Sequence, residues 1–348
     1  MSIFLSTPNI SKREINAILK TIKKGWFSMG PQTRYFEEEF ATYVGARYAI
    51  AVNSCTSALF LSLKALGIGS GDEVIVPSFT FAATANVVVH CGAKPVFVDI
   101  SPDDYTMDQK SFEKAITKKT KAVIPVHYAG NRAHIETNIP IIEDSAHLIP
   151  KAGDNISTYT RCYSFYTTKN ITTIDGGMVT TNSSQVNEWL RKARLHGLSS
   201  DAWKRYDLKS RWVYGVEFSG YKMNMTDLAS TIGRVQLKRL EKFEVKRRKV
   251  VSLYNKLLGL NNKGTHLYPI LVENREKFFE YMKKNHIGCS FHFPALHMEP
   301  AFRYYSKRTL PVTEYVAQRV ATLPLDAVIT KGDVTKVATL INKFLKRQ

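Results

Sequence analysis

The chain has 348 residues, 44% hydrophobic and 23% charged, the composition of an ordinary globular protein with a large buried core and room for two domains. Its net charge of +19 comes from dispersed lysines and arginines with only short clusters such as Lys246-Arg247-Arg248-Lys249, so a solvated surface or a phosphate-bearing ligand is expected, not nucleic acid. Cys55, Cys91, Cys162 and Cys289 lack any C-x-x-C spacing, and the most apolar stretch, Val74 to Val98, is interrupted by polar residues, which argues against a disulfide frame, a metal site and a membrane span.

Ser11-Lys12-Arg13-Glu14 has the form of a capping box and opens a helix that runs to about Lys24 and stops at Gly25. Before it, Met1 to Leu5 carries neither a basic leader nor an apolar core, so no signal peptide is read there and, with the cysteines read as reduced thiols, a cytoplasmic protein is expected. Phe36, Phe40 and Tyr43 recur at helical spacing in a second helix that Gly45 closes. Tyr48 to Val52 reads as a buried strand, followed by Asn53-Ser54-Cys55-Thr56 and an apolar helix over Ser57 to Leu66. Strands are expected at Val74–Val76, Pro95–Asp99 and Ala122–Val126, and helices at Thr84–His90 and Phe112–Ile116. Short apolar strands alternating with helices imply an α/β fold with a mostly parallel sheet between helices.

Further on, a strand over Met178–Thr181, a helix over Ser184–Leu195 and an extended loop over Arg194–Ser219 are expected. A long helix from Thr226-Asp227 to about Leu258 joins a large domain (residues 1–233) to a smaller C-terminal α/β domain (234–348). The latter has a strand over Leu267–Val272, a helix over Arg275–Asn285 and a final helix from about Asp333.

Three features carry chemistry. Lys169 lies in Tyr163-Ser164-Phe165-Tyr166-Thr167-Thr168-Lys169-Asn170, a small, hydroxyl-rich and aromatic segment just before the Asp175-Gly176-Gly177 turn, an unusual setting for a surface charge. Asp144 follows an apolar run at the C-terminal end of a strand, where parallel sheets bind ligands. Strand, Asn53-Ser54-Cys55-Thr56, then helix would offer phosphate the unpaired N–H groups and dipole of a helix start. A lysine able to form a Schiff base and a carboxylate able to pair with a pyridinium nitrogen are what pyridoxal 5'-phosphate (PLP) chemistry requires.

In order along the chain, Gly25-Trp26, Gly30-Pro31, Asn53 to Leu59, Gly71 to Phe81, Pro95 to Asp99, Glu143-Asp144-Ser145-Ala146-His147, Ser164 to Asn170, Arg194-Leu195-His196-Gly197, Gly220 to Asp227 and Phe293-Pro294-Ala295-Leu296-His297 resemble the DegT/DnrJ/StrS-type aminotransferases. The resemblance implies the fold of fold type I PLP-dependent aminotransferases and an amino transfer from an amino acid, usually glutamate, to a nucleotide-linked keto sugar. It identifies Lys169 with the Schiff-base lysine, Asp144 with the pyridinium partner and Phe81 with the ring-stacking position. Cys55, Thr56 and Ser164 fall where relatives hold the phosphate, and His147 where they approach the phenolic oxygen. Asn224 resembles a residue reaching the cofactor of a neighbouring subunit, which implies a homodimer with shared sites. His196, Tyr221, His292 and His297 are weaker substrate-contact candidates. Relatives that dehydrate sugars carry His in place of Lys169, so transamination is expected.

The chain departs from the family's pattern between Val126 and Ile141, where the usual helix is compressed to Asn131–Pro140, in a trimmed linker between Pro150 and Arg161, and at Asp175, often Glu. These departures bear on the substrate mouth. A keto-cyclitol substrate and a non-catalytic PLP-binding regulator are the alternatives, and half-transamination with glutamate excludes the second.

Overall fold

The computed structural model describes residues 2–152, 158–199, 215–306 and 308–346. The loop expected over Arg194–Ser219 and the linker between Pro150 and Arg161 therefore lie in part outside the described residues.

Helix α1 (Lys12–Lys23) starts on its capping box, with Ser11 accepting from the Arg13 N–H and Glu14 accepting from the Ser11 N–H at 2.9 Å. Helix α2 (Pro31–Val44) ends at Gly45, whose φ of 72° is the left-handed geometry of a C-terminal stop. There follow β1 (Tyr48–Val52), α3 (Cys55–Ala65), β2 (Glu73–Pro77), α4 (Ala82–His90), β3 (Lys94–Val98), α5 (Gln109–Ala115) and β4 (Thr120–Val123). After these come β5 (Ile142–Asp144), β6 (Thr160–Ser164), β7 (Gly177–Thr181) and α6 (Ser184–Ala193). The C-terminal elements are α7 (Asp227–Leu237), α8 (Leu240–Leu258), β8 (Tyr268–Leu271), α9 (Arg275–Lys284), α10 (Pro311–Arg319), β9 (Val320–Leu323) and α11 (Lys331–Leu345).

Two expectations are corrected. No helix forms over Asn131–Pro140; a single 3-10 turn at Tyr128–Gly130 leads into extended backbone. The Ala133 N–H is taken by His127 Nδ1 at 3.1 Å, so the backbone donor that a helix would use is engaged elsewhere. The long helix expected over 226–258 is two helices, α7 and α8, broken at Lys238-Arg239 without a glycine or proline. Arg239 is bonded there to Asn9, with 2.7 Å to its side-chain oxygen, and to Glu14 of α1. The two helices pack on different partners, α7 on α1 and α2, α8 on α11. β6, α10 and β9 are elements the sequence reading did not delimit.

β3-β2-β4 form a parallel sheet, and β1-β7-β6-β5 a mixed one. Isolated parallel bridges, Val123 to Ile141 and Val126 to Asp144, link β4 to β5. Along the resulting order β3-β2-β4-β5-β6-β7-β1, only β7 runs against the rest, being antiparallel to both β6 and β1. Alternate residues of β1 feed two cores: Ile50 and Val52 pack with Leu59, Val76 and Leu190, whereas Ala49 and Ala51 pack with Phe36, Phe40 and Phe243. Cover on both faces explains why β1 is apolar throughout. β8 and β9 pair antiparallel and share a separate core with α8, α9 and α11, built on Tyr254, Phe278 and Ile341.

Candidate active site

The strand direction puts the C-terminal ends of β1, β2, β4, β5 and β6 on one edge, and because β7 is reversed its first residue, Gly177, lies there too. On that edge opens a cavity of about 750 Å³. Its wall brings together Cys55, Thr56, Phe81, Asp144, His147, Ser164, Lys169 and His292, eight of the twelve residues singled out from the sequence.

Ser54 caps α3 by accepting the Ser57 N–H at 3.1 Å, leaving the Cys55 and Thr56 N–H groups of the first turn without intrahelical acceptors. Gly177 is required beneath them. A Cβ on Gly177 would stand 2.4 Å from the Ser54 carbonyl carbon and 2.6 Å from the Cys55 nitrogen, so any side chain would displace the helix start.

Asp144 is buried at the end of β5. It accepts from the Thr84 hydroxyl at 2.9 Å and from the Ala146 N–H at 3.1 Å. Burial raises its pKa, and the Thr84 hydrogen bond, the Ala146 N–H, Lys169 and His127 oppose that rise. Lys169 follows β6 in a tight turn in which its N–H donates to the Tyr166 carbonyl at 2.9 Å. It is partly buried and lines the cavity. Removal of water from its ammonium group brings its pKa down to about 8, against the attraction of Asp144. An amine with that acidity is neutral for a useful fraction of the time near neutral pH, which a nucleophile or proton carrier needs.

Phe81 precedes α4 and is 63% exposed, an aromatic face offered to the cavity with Phe293 6.0 Å away, centroid to centroid. His147 accepts the Ala129 N–H on Nδ1 at 3.2 Å. Its ring lies 4.3 Å from that of His266. Burial, then the neighbouring Lys169, hold the His147 imidazole well below its usual pKa. His292 is brought down to about 4 by burial and Lys169, and its Nδ1 lies 3.0 Å from the Thr322 hydroxyl.

Four candidates are not among the lining residues. Asn224 is buried where the chain bridges to Val52, its Oδ1 accepting from Lys222 Nζ at 2.6 Å. His196 is exposed, with its N–H on the Tyr221 carbonyl at 2.9 Å. Tyr221 packs edge-on against Phe60, 5.0 Å between centroids. His297 is buried between the Ser78 hydroxyl, 2.7 Å from Nδ1, and Glu314, 3.1 Å from Nε2, the bonding of a structural histidine. The sequence reading missed His266, Thr84 and Thr322. The only signal for Thr84 was its place three residues after Phe81 at a helix start.

The donor set fits a flat, anionic, carbonyl-bearing cofactor. A bare helix start closed below by Gly177 suits a phosphate, a buried carboxylate suits a ring N–H, and a deprotonatable amine suits the carbonyl. Among the described residues no cluster of His, Cys, Asp and Glu could hold a metal, and no helix is long and apolar enough to cross a membrane.

Residues 8–342 match the DegT/DnrJ/EryC1/StrS aminotransferase family. The chain is 43% identical to an uncharacterized protein of Methanocaldococcus jannaschii, over 97% of this chain and 96% of that one. It is 37% identical to the spore coat polysaccharide biosynthesis protein SpsC of Bacillus subtilis, over 98% and 96% of the two. Its fold is similar to that of Spr1654 of Streptococcus pneumoniae in its PMP form, with a TM-score of 0.91, 29% identity and 99% of both chains covered.

Proposed function

The chain belongs to the DegT/DnrJ/EryC1/StrS aminotransferase family, whose members use PLP, and we propose that it moves the amino group of glutamate to the keto carbon of a nucleotide-linked sugar. That it is a PLP-dependent sugar aminotransferase follows from the family and its structural neighbours. The amino-transfer chemistry rests on one observation, an amine with a pKa of about 8 and a buried carboxylate open onto the same cavity, and the choice of glutamate and a nucleotide-linked sugar rests on the family.

In this reading Lys169 is the attachment point, Asp144 the partner of the ring nitrogen and Phe81 the surface against the ring face. The N–H groups of Cys55 and Thr56, with Ser164, would hold the phosphate, and His147 would stand by the phenolic oxygen. PLP supplies an aldehyde that condenses with amines and a pyridinium ring that accepts a carbanion's electron pair. With PLP and an amino donor bound, Lys169 Nζ would carry the proton between the donor's α-carbon and the cofactor. With the keto sugar, the same amine runs the transfer in reverse. The Thr84 hydroxyl and the Ala146 N–H favour the charged form of Asp144 against the effect of burial, and the depressed pKa of the His147 and His292 rings lets them donate or accept a hydrogen bond without adding charge.

The family resemblance likens Asn224 to a residue beside a neighbouring subunit's cofactor, which supports a homodimer as the working unit, and four free cysteines suit a reducing cytoplasm. The polysaccharide pathway in which SpsC is named supports a sugar nucleotide bound for a glycan as the acceptor.

The test is incubation of the yellow protein with glutamate and a panel of nucleotide-linked keto sugars and keto-cyclitols, with products identified by mass. Amination of a nucleotide sugar is expected. Amination of a keto-cyclitol alone would overturn the acceptor assignment, and absence of 2-oxoglutarate would overturn the donor.

A further inference from the structure

Thr84 is a hydroxyl in a mostly apolar helix, Ala82-Ala83-Thr84-Ala85-Asn86-Val87-Val88-Val89-His90, and is fully buried there. A helical threonine ordinarily returns its hydroxyl to a carbonyl of the preceding turn or to solvent. Thr84 does neither. Its hydroxyl crosses from α4 to β5 and donates to Asp144 Oδ2 at 2.9 Å. Its oxygen also lies 2.9 Å from that of Thr80, which is buried too and lines the cavity. The single proton of Thr84 is committed to the carboxylate, so Thr80 must be the donor in the second bond. Donation thus runs one way, Thr80 to Thr84 to Asp144, and bonds in such a chain polarise and strengthen one another in a dry interior.

We infer that Thr84, itself oriented by Thr80, is a positioning residue that keeps the one proton shared by Asp144 and the cofactor's ring nitrogen on the ring. This rests on the reading of Asp144 as the ring-nitrogen partner. Burial by itself would drive the proton towards the carboxylate, since a charged carboxyl away from water is costly. The Thr84 hydroxyl is the only side-chain donor to Asp144 among the described residues, and a hydrogen bond to the charged form favours that form. The other groups acting on Asp144 come from different elements: Lys169 after β6 and His127 after β4 attract its charge, whereas the thiols of Cys55 on α3 and Cys162 on β6 are neutral, their pKa raised by burial. None of these hydrogen-bonds the carboxylate, and the backbone donor, the Ala146 N–H at 3.1 Å, is on the other oxygen, Oδ1, so Thr84 is the donor to Oδ2.

The experiment compares the native holoenzyme with Thr84→Val and Thr84→Ser, each loaded with PLP carrying nitrogen-15 in the ring. The nitrogen-15 chemical shift reports directly whether that nitrogen bears a proton, independently of turnover. We expect a protonated ring in the native protein and in Thr84→Ser, and a shift towards unprotonated pyridine in Thr84→Val. The half-reaction with glutamate should slow about 10- to 100-fold in Thr84→Val, the loss of one hydrogen bond to a charged group, and recover in Thr84→Ser. Thr80→Val, which leaves Thr84 in place, should give a smaller shift of the same sign and serves if Thr84→Val fails to fold. A protonated ring in every variant overturns the inference while leaving Asp144 as the partner. An unprotonated ring in the native protein removes the assignment of Asp144, and the inference with it.

Discussion

Gly177 and Ser54 touch through their backbones: a methyl group on the glycine would sit 2.4 Å from the serine's carbonyl carbon. β7 therefore passes directly under the first turn of α3, and the reversed direction of that one strand is what brings a glycine to the spot. Gly177→Ala should lower stability by about 1–3 kcal/mol through overpacking. It should also weaken cofactor binding, because α3 must move for the methyl to fit. Urea unfolding and a PLP titration of the apo-protein measure the two effects. A destabilised protein with native PLP affinity would show that the helix start holds no phosphate.

Capture of PLP by the apo-protein should follow the neutral fraction of Lys169. The rate should rise about tenfold per pH unit below pH 8, then level off, because the amine's pKa is about 8 instead of 10.5. Asp144 favours the ammonium form, so Asp144→Asn should move the inflection to lower pH. A stopped-flow pH profile still climbing at pH 10 would contradict the assignment.

Lys169→Ala should abolish the yellow chromophore and lower the rate of amino transfer by at least about 10²–10⁴-fold, the usual worth of a placed general acid/base. Borohydride reduction of the native holoenzyme followed by peptide mapping should find the pyridoxyl label on Lys169. A label on another lysine would transfer the role to that residue.

Asp227 caps a helix other than its own. Its carboxylate accepts from the N–H groups of Gly30 (2.8 Å), Gln32 (3.0 Å) and Thr33 (2.9 Å) and from the Thr33 hydroxyl (2.8 Å), tying the start of α2 to the start of α7. Asp227→Ala leaves buried donors unpaired and should cost about 3 kcal/mol in urea unfolding. A loss below about 0.5 kcal/mol would mean that water replaces the carboxylate there.

His297→Gln should separate structure from recognition. With His297 held by Ser78 and Glu314, the substitution should lower stability by about 1–3 kcal/mol and leave both KM values within about twofold. A large rise in the KM for the sugar alone would return His297 to the substrate site.

Much of this protein is written locally. The capping box at Ser11 and Glu14, the glycine after Val44, the apolar run of Tyr48–Val52 and the strand-to-helix junction at Ser54 are patterns a few residues long. Helix starts, helix ends and buried strands are decided over that range, because their hydrogen bonds or their burial pattern close within it. Asp144 and the α3 start were legible for the same reason, since each terminates or follows a strand whose pattern points to it, whereas Lys169 stood out by its hydroxyl-rich aromatic segment before Gly176-Gly177.

Tertiary structure decided the rest. No local signal reverses β7, breaks the helix at Lys238-Arg239 or bends the Asn131–Pro140 stretch away from a helix; the competing bonds come from Asn9, Glu14 and His127, placed by other elements. Thr84 and Asp144 are 60 positions apart, and Ser78 and His297 are 219 apart, yet each pair meets within hydrogen-bond distance. A side chain's short-range sequence context specifies its backbone but not its partner across the core. Two histidines of similar motif context thus end differently: His292 opens onto the cavity, while His297, five residues on, is spent on holding the fold.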